Sequence, residues 1–399
     1  MRANSKLKTQ NSKLVTLASA LLDWFAANAR DLPWRCTRDP YAIWVSEIML
    51  QQTQVKTVIP YWTAWMRALP TIQAVAKASP DKIHKLWEGL GYYTRARNLQ
   101  KAAKLIVEKH GGKFPETFDD VLALPGIGRY TAGAICSIAF NQAVPILDGN
   151  VIRVLARIFG IAENPKDKET NARLWKLAAE LVATSAKPDT TRSSRREEAH
   201  SEIGNRQSLL TSAATITGNC SALNQSLMEL GALVCTPRNP QCGICPARKL
   251  CVAFRENRIT ELPNPGKREA ATARRFVAFV VERNGRFLTR QRPAGVVNAH
   301  LWEFPNVEIL NGEFNSKLAA KNALGAEPAK IEPLCTIKHS ITRYRITMQA
   351  FRATPGGTGY ASPSGVGVWK TPAQMRRLAF AAAHKKLASA AFKGILSGR

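Results

Sequence analysis

The sequence contains no run of about 18 apolar residues, which excludes a membrane-spanning helix. It also has no amphipathic basic helix of the kind that lies on a lipid surface, so no membrane partner is expected. Residues 1–13 have no apolar centre. That excludes a signal peptide and is read as a short disordered basic arm. Acidic residues are scarce: 29 Asp and Glu stand against 57 Lys and Arg in 399 residues, a formal net charge of +28. An excess of this size implies a polyanionic partner rather than solubility alone. Without a secretion signal the cysteines are expected in a reducing cytoplasm. Cys36, Cys136, Cys220 and Cys335 are scattered and read as ordinary thiols. No internal repeat is present.

Residues 14–185 show apolar positions at three- and four-residue steps, broken at Leu69-Pro70, Ser79-Pro80 and Gly111-Gly112, a helical pattern. Residues 187–217 lack aromatics and are rich in Ser, Thr, Arg and Glu, which reads as a mobile insertion. The helical pattern resumes at 224–230. A polar stretch, 254–274, contains Pro263 and Pro265 and reads as a linker between a first domain, 14–253, and a second, 275–399. In the second the period changes to two. Phe276 to Val281 is a β-rich run, Asn284-Gly285 is a hairpin signal, and Tyr344, Ile346, Met348 and Ala350 alternate with polar residues. With helical stretches at 315–324 and 372–394, this second domain is α+β.

Cys235, Cys242, Cys245 and Cys251 are spaced C-x6-C-x2-C-x5-C. Structural zinc sites usually take two short cysteine pairs, and only Cys242 and Cys245 form one. The longer gaps on either side suit a larger centre held by four thiolates. Zinc and a pair of disulfides are the alternatives, the latter disfavoured by a reducing compartment.

Leu124-Pro125-Gly126-Ile127-Gly128-Arg129-Tyr130 lies between two helical stretches. Gly126 and Gly128 permit a tight turn with close backbone approach, and the helix that follows offers free N–H groups to a phosphate. A glycine turn alone also serves simple helix packing. Two acids stand out. Glu47 lies in an otherwise apolar and amide-rich helix, Trp44 to Thr53. Asp148 follows the apolar run Val144 to Leu147. Taken by themselves, Glu47 fits a partly exposed helix position and Asp148 a helix N-cap.

Five strings occur in order: Trp44 to Thr53, Trp87 to Tyr93, Leu124 to Tyr130, Leu147 to Asn150, and the four cysteines. Together they resemble the MutY adenine DNA glycosylases of the endonuclease III, or helix-hairpin-helix, superfamily. The resemblance covers residues 20–183 and 223–253 closely and the remainder loosely. It implies a mostly α helix-hairpin-helix core with a [4Fe-4S] loop on Cys235, Cys242, Cys245 and Cys251, followed by an α+β Nudix-like (MutT-like) domain. It implies base-excision repair: hydrolysis of the N-glycosidic bond of adenine mispaired with 8-oxoguanine or guanine in duplex DNA, by a monomer in the cytoplasm, at the nucleoid. Glu47 would protonate the adenine and Asp148 would stabilise the sugar cation, with Tyr130 and Asn150 orienting them. Trp34, Arg35, Leu50, Gln51 and Glu229 would line the base pocket. Gln52 and Tyr92 would wedge into the duplex, while Gly126, Gly128 and Arg129 would hold its backbone.

Endonuclease III itself places a lysine in the hairpin, where Tyr130 stands here. A phenol cannot form an imine with the sugar, so a monofunctional glycosylase without efficient strand cleavage is expected. The related readings are a mismatch glycosylase with another target base and a non-catalytic iron–sulfur DNA-binding protein. Intact Glu47 and Asp148 favour the enzyme. Residues 275–399 lack the glutamate-rich box of a working Nudix hydrolase, so recognition of 8-oxoguanine without hydrolysis is expected. MutY proteins often carry Phe-Ser-His in the recognition loop. This chain has Ile341-Thr342-Arg343, and Thr342 keeps the hydroxyl.

Overall fold

The computed structural model describes residues 2–186, 219–266, 270–310, 314–341, 343–356 and 367–396. The stretch read as an insertion, 187–217, and Thr342 lie outside the described residues. Contacts divide the chain into two compact units. One combines Met1–Ala76 with Lys101–Lys267, the other Lys77–Gln100 with Arg268–Arg399. Among the described residues no helix is long and apolar enough to cross a membrane.

The helices in chain order are α1 (Arg2–Asn28), α2 (Pro40–Leu50), α3 (Val55–Ala68), α4 (Ile72–Lys77), α5 (Pro80–Leu86), α6 (Thr94–Lys109), α7 (Phe118–Leu122), α8 (Arg129–Phe140), α9 (Gly149–Phe159), α10 (Lys168–Thr184), α11 (Cys220–Leu233) and α12 (Val252–Arg255). Local chemistry sets their ends. Asp148 caps α9 and Gly160 closes it in the left-handed conformation, at φ 68°. Asn141 closes α8 in the same way at φ 53°. The core of the first unit is built where α1, α9, α10 and α11 meet, around Leu17, Leu21, Val154, Leu155, Leu174 and Leu227.

Residues 2–13, expected as a disordered arm, instead begin α1. The inner end of that stretch has partners that account for this. The Lys13 ammonium donates to the Ile158 carbonyl at 3.0 Å and sits 4.5 Å above the Phe159 ring. Gln10 donates to Glu180 at 2.8 Å.

In the second unit a sheet runs in the order β3-β2-β1-β6-β5, with β4 (Asn306–Ile309) on β1 and β7 (Val368–Lys370) on β2. The other strands are β1 (Thr272–Arg283), β2 (Arg286–Gln291), β3 (Trp302–Glu303), β5 (Lys330–Ile341) and β6 (Tyr344–Thr354). β1 pairs in parallel with β6, and β5 antiparallel with β6. The Asn284-Gly285 hairpin is present, both residues at positive φ, with Arg283 opposite Arg286. Ala278 and Val280 face one core, with Phe287 and Phe304. Val277, Phe279 and Val281 face another, with Leu324. Burial on both faces is why Phe276 to Val281 is continuously apolar rather than alternating. Helices α13 (Ser316–Leu324), α14 (Pro372–Arg377) and α15 (Ala382–Leu396) belong to this unit, as does α5. The stretch 372–394 is thus two helices.

Candidate active site

Glu47 lies near the end of α2, whose residues Tyr41 to Met49 are all buried. The residue is 5% exposed, and its carboxyl accepts a hydrogen bond from the Tyr130 hydroxyl at 2.9 Å. The same hydroxyl oxygen is 3.2 Å from the Met228 sulfur. Burial pushes Glu47 up to about 7, and the negative charge of Asp148 adds to this. The Tyr130 bond and the Arg35 charge only partly oppose it. Glu47 is therefore a carboxylic acid that can hold its proton near neutrality. Burial also raises Tyr130 well above an ordinary phenol, so it stays a neutral donor.

Asp148 is held differently. It is half-buried at the N-terminus of α9, where it accepts from the Val151 N–H at 2.7 Å and from the Asn150 amide at 2.9 Å. Burial raises its pKa, but these bonds and the Arg153 charge pull against that rise. Asp148 is thus the N-cap of α9. Asn150 in turn accepts from Arg153 at 2.8 Å. Arg153 also donates to the Gly231 carbonyl at 2.7 Å and the Cys235 carbonyl at 2.7 Å. One buried guanidinium thus spans from the second acid to the cysteine loop.

A third acid forms a separate wall. Glu229 is 1% exposed and is bound by two arginines. Arg30 donates to it at 2.7 and 2.6 Å, and Arg35 at 3.1 and 2.9 Å. Burial opposes its ionisation, but the Arg30 and Arg35 hydrogen bonds outweigh that and hold it at about 2. Arg35 is further fixed 5.2 Å over the Phe25 ring. Trp34 is buried against Trp62, ring centroids 6.0 Å apart. Leu50 and Gln51 end α2, and the Gln51 amide donates to the Thr131 hydroxyl at 3.4 Å. Glu47 with Tyr130 and Asp148 with Asn150 thus form two hydrogen-bonded pairs that influence each other through charge, and Arg35 and Glu229 form a separate ion-paired set. Helix α11 joins the Glu47 pair to that set, because neighbours Met228 and Glu229 serve one each.

The hairpin between α7 and α8 has Gly126 at φ 82°. Gly128 is the N-cap of α8 and no side chain caps the helix there, so its first N–H groups are open to an anion. Gly128 and Arg129 are exposed, with Arg129 stacked 4.0 Å over Trp175. Gln52 and Tyr92 are exposed and share a left-handed backbone, φ 57° and 47°, a conformation uncommon outside glycine. Thr342, expected to contact the opposite base, lies outside the described residues.

Cys235, Cys242, Cys245 and Cys251 all line one cavity, together with Arg157 and Arg248. None is in a disulfide. Burial pushes Cys242, Cys245 and Cys251 up, Cys245 to about 11, and neighbouring cysteines add to the rise. Such thiols become thiolates when a cationic metal centre is bound. Arg157 donates to the Cys235 sulfur at 3.4 Å. Among the described residues no three His, Cys, Asp or Glu side chains close on a single metal ion. Four soft donors around one shared cavity fit a polynuclear iron–sulfur centre.

Four contributors carried no signal in the sequence. Arg30 and Arg153 are basic residues in a strongly basic chain, and Met228 reads as core. Gly231 matters through space alone: a Cβ there would lie 2.6 Å from the Asn150 Cβ and 3.1 Å from its backbone.

Residues 45–180 match the model of the HhH-GPD superfamily of base excision DNA repair proteins, and residues 276–390 match the NUDIX domain. The adenine DNA glycosylase of Arabidopsis thaliana is 41% identical over 74% of this chain, which spans 48% of the plant protein's length. That of Rattus norvegicus is 35% identical over 92% of this chain and 76% of its own length. The structure of a thermostable thymine-DNA glycosylase superposes with a TM-score of 0.50 and 28% identity, covering 62% of this chain and 98% of that one. With both domains matched and most of the rat protein's length covered, the chain belongs to the adenine DNA glycosylase family.

Proposed function

We propose that the chain removes adenine from duplex DNA where adenine is mispaired with 8-oxoguanine or guanine, and that it does so without cleaving the strand. One observation carries this reading: two acids close enough to feel each other's charge are held differently, Glu47 as a buried acid at about 7 with one hydroxyl partner and Asp148 as a helix-capping carboxylate with several hydrogen-bond donors that oppose the effect of burial. Breaking an N-glycosidic bond has the same two demands as glycoside hydrolysis. Glu47 gives its proton to a ring nitrogen of the adenine. The C1′–N9 electron pair leaves with the base. Asp148 stabilises the sugar cation until water adds at C1′ and loses a proton. Tyr130 donates to Glu47 and offers no amine for an imine, which supports a monofunctional enzyme.

The adenine must first leave the stack, which costs least at a mispair. Gln52 and Tyr92 are the proposed wedges, and their exposed left-handed positions suit side chains that enter the duplex. The bare N-terminus of α8 and Arg129 suit a phosphate. Trp34, Arg35 and Glu229 are the pocket walls, with the buried Glu229 carboxylate fixing the Arg35 guanidinium in place. The four cysteines are the proposed ligands of a [4Fe-4S] cluster, which when bound supplies a rigid anchor for the basic loop. The MutT-like unit is proposed to recognise the 8-oxoguanine through the loop at Thr342, with the protein acting as a monomer.

The test is single-turnover base release from a duplex carrying adenine opposite 8-oxoguanine, with adenine opposite thymine as control and strand breaks scored before and after alkali. Fast release with breaks only after alkali is the expected result. Breaks without alkali would remove the monofunctional assignment. Release of a different base, or binding without release, would overturn the reading.

A further inference from the structure

The second unit holds more than the sheet and its helices. Residues Lys77–Gln100 belong to it, and with them the exposed Tyr92 turn. That turn is constructed with some care. Gly89, Gly91 and Tyr92 all have positive φ, 113°, 72° and 47°. The buried Trp87 indole donates to the Gly91 carbonyl at 3.0 Å. The Arg95 guanidinium lies 5.3 Å from the Trp87 ring and 5.6 Å from the Tyr92 ring, and donates to the Leu90 and Gly91 carbonyls at 3.1 Å each. At the base of the turn stands Glu88, its side chain 7% exposed. One carboxylate oxygen accepts the Phe380 backbone N–H at 3.1 Å. The other accepts Lys385 of α15 at 2.7 Å and Lys85 at 2.8 Å. Lys85 also donates to the Leu378 carbonyl at 3.1 Å. Phe380 is itself buried, bridged to Trp302 of β3 and 6.1 Å from Phe304. The carboxylate therefore ties the turn to the core of the MutT-like fold at two points, Phe380 and Lys385, and its partner Lys85 adds a third at the Leu378 carbonyl.

We propose that Glu88 is a positioning residue: it fixes the Tyr92 turn on the MutT-like fold, so that engagement of the opposite base by that fold and entry of Tyr92 into the duplex occur as one event. This rests on the wedge role proposed for Tyr92. A carboxylate this deeply buried, with two ammonium partners and a backbone N–H, gives the turn a definite seat. Truncating one partner of such a set leaves the others buried and unpaired.

The experiment uses the full chain and a duplex with 2-aminopurine stacked beside the adenine:8-oxoguanine mispair, so that unstacking is read as fluorescence independently of base release. Glu88→Ala and Tyr92→Ala should each abolish most of the fluorescence rise. The double variant should lose no more than either alone, since Glu88 acts through Tyr92. Glu88→Gln, whose amide oxygen still accepts the Phe380 N–H, and the surface variant Lys385→Ala should retain an intermediate signal, which covers the case in which Glu88→Ala fails to fold. The preference for adenine opposite 8-oxoguanine over adenine opposite guanine should fall about tenfold in Glu88→Ala. An undiminished rise in Glu88→Ala, Glu88→Gln and Lys385→Ala overturns the proposal, as do additive losses in the double variant. Absence of base release by the parent protein while the fluorescence pattern holds would instead count against the proposed function alone.

Discussion

Glu47 and Glu229 are the same residue type, both buried, on two walls joined by α11, and they are held about five pH units apart, near 7 and near 2. Burial raises both. Partners make the difference. Glu229 meets two guanidiniums in forked geometry. Glu47 receives one neutral hydroxyl and faces a second carboxylate. Depth of burial therefore does not assign a chemical role; the charge of the neighbours does. One wall holds a carboxylic acid near its titration point, and the other holds a fixed charge.

The largest expected effect comes from removing the proton itself. Glu47→Gln should lower single-turnover base release by about 10²–10⁴-fold, the usual contribution of a general acid, with duplex affinity unchanged. The stability effect should have the opposite sign. Because the folded state raises the pKa of Glu47, its contribution is favourable at low pH and lost as pH rises through about 7. The Gln variant should therefore melt higher than the parent at pH 8 and no higher at pH 5. A parent-like rate would dismiss Glu47 as the acid.

On the other wall the same kind of change should damage the fold. Arg35→Met leaves Glu229 buried with Arg30 as its remaining cation and is expected to cost about 3 kcal/mol, read from denaturant unfolding. Unchanged stability would mean that Arg30 alone satisfies Glu229, and the contrast between the walls would shrink to one ion pair. Gly231→Ala tests the brace between the walls. Its new methyl would press on the Asn150 backbone, which cannot yield as a flexible side chain can. A loss of about 1–3 kcal/mol is expected, as for other overpacked sites, with slower base release because Asn150 holds Asp148.

The contrast was only half legible in the sequence. Glu47 and Asp148 stand out as acids in apolar surroundings, the cysteines by their spacing, and the hairpin by its two glycines. Asn284-Gly285 and the run after Phe276 likewise announce a hairpin and a doubly buried strand. Arg30, Arg153 and Gly231 do not stand out. One basic residue among 57 carries no mark, and a glycine in a helix shows its purpose only when the atom it must clear is known. Residues 77–100 have the periodicity of the helical region before and after them, so nothing local says that their contacts lie with the other unit. The helical pattern from residue 14 covers the later part of the first helix, but its start at 2–13 is polar, and the partners of that start, Ile158, Phe159 and Glu180, lie some 145–170 residues away.

The smallest effect offers the finest test of what sets the protonation of Glu47. Tyr130 donates a hydrogen bond that favours the ionised carboxylate, so it lowers a pKa that burial raises. Tyr130→Phe removes the donor and keeps the ring. The carboxyl should then hold its proton to higher pH. In the parent, single-turnover release should decline as pH rises through about 7, since only the protonated form serves as acid. In Tyr130→Phe the decline should begin at higher pH, while the plateau at low pH falls through lost orientation of the acid. A decline that moves to lower pH would show that the hydroxyl stabilises the neutral acid instead, so that a single phenol and a pair of guanidiniums act on their carboxyls with opposite sign.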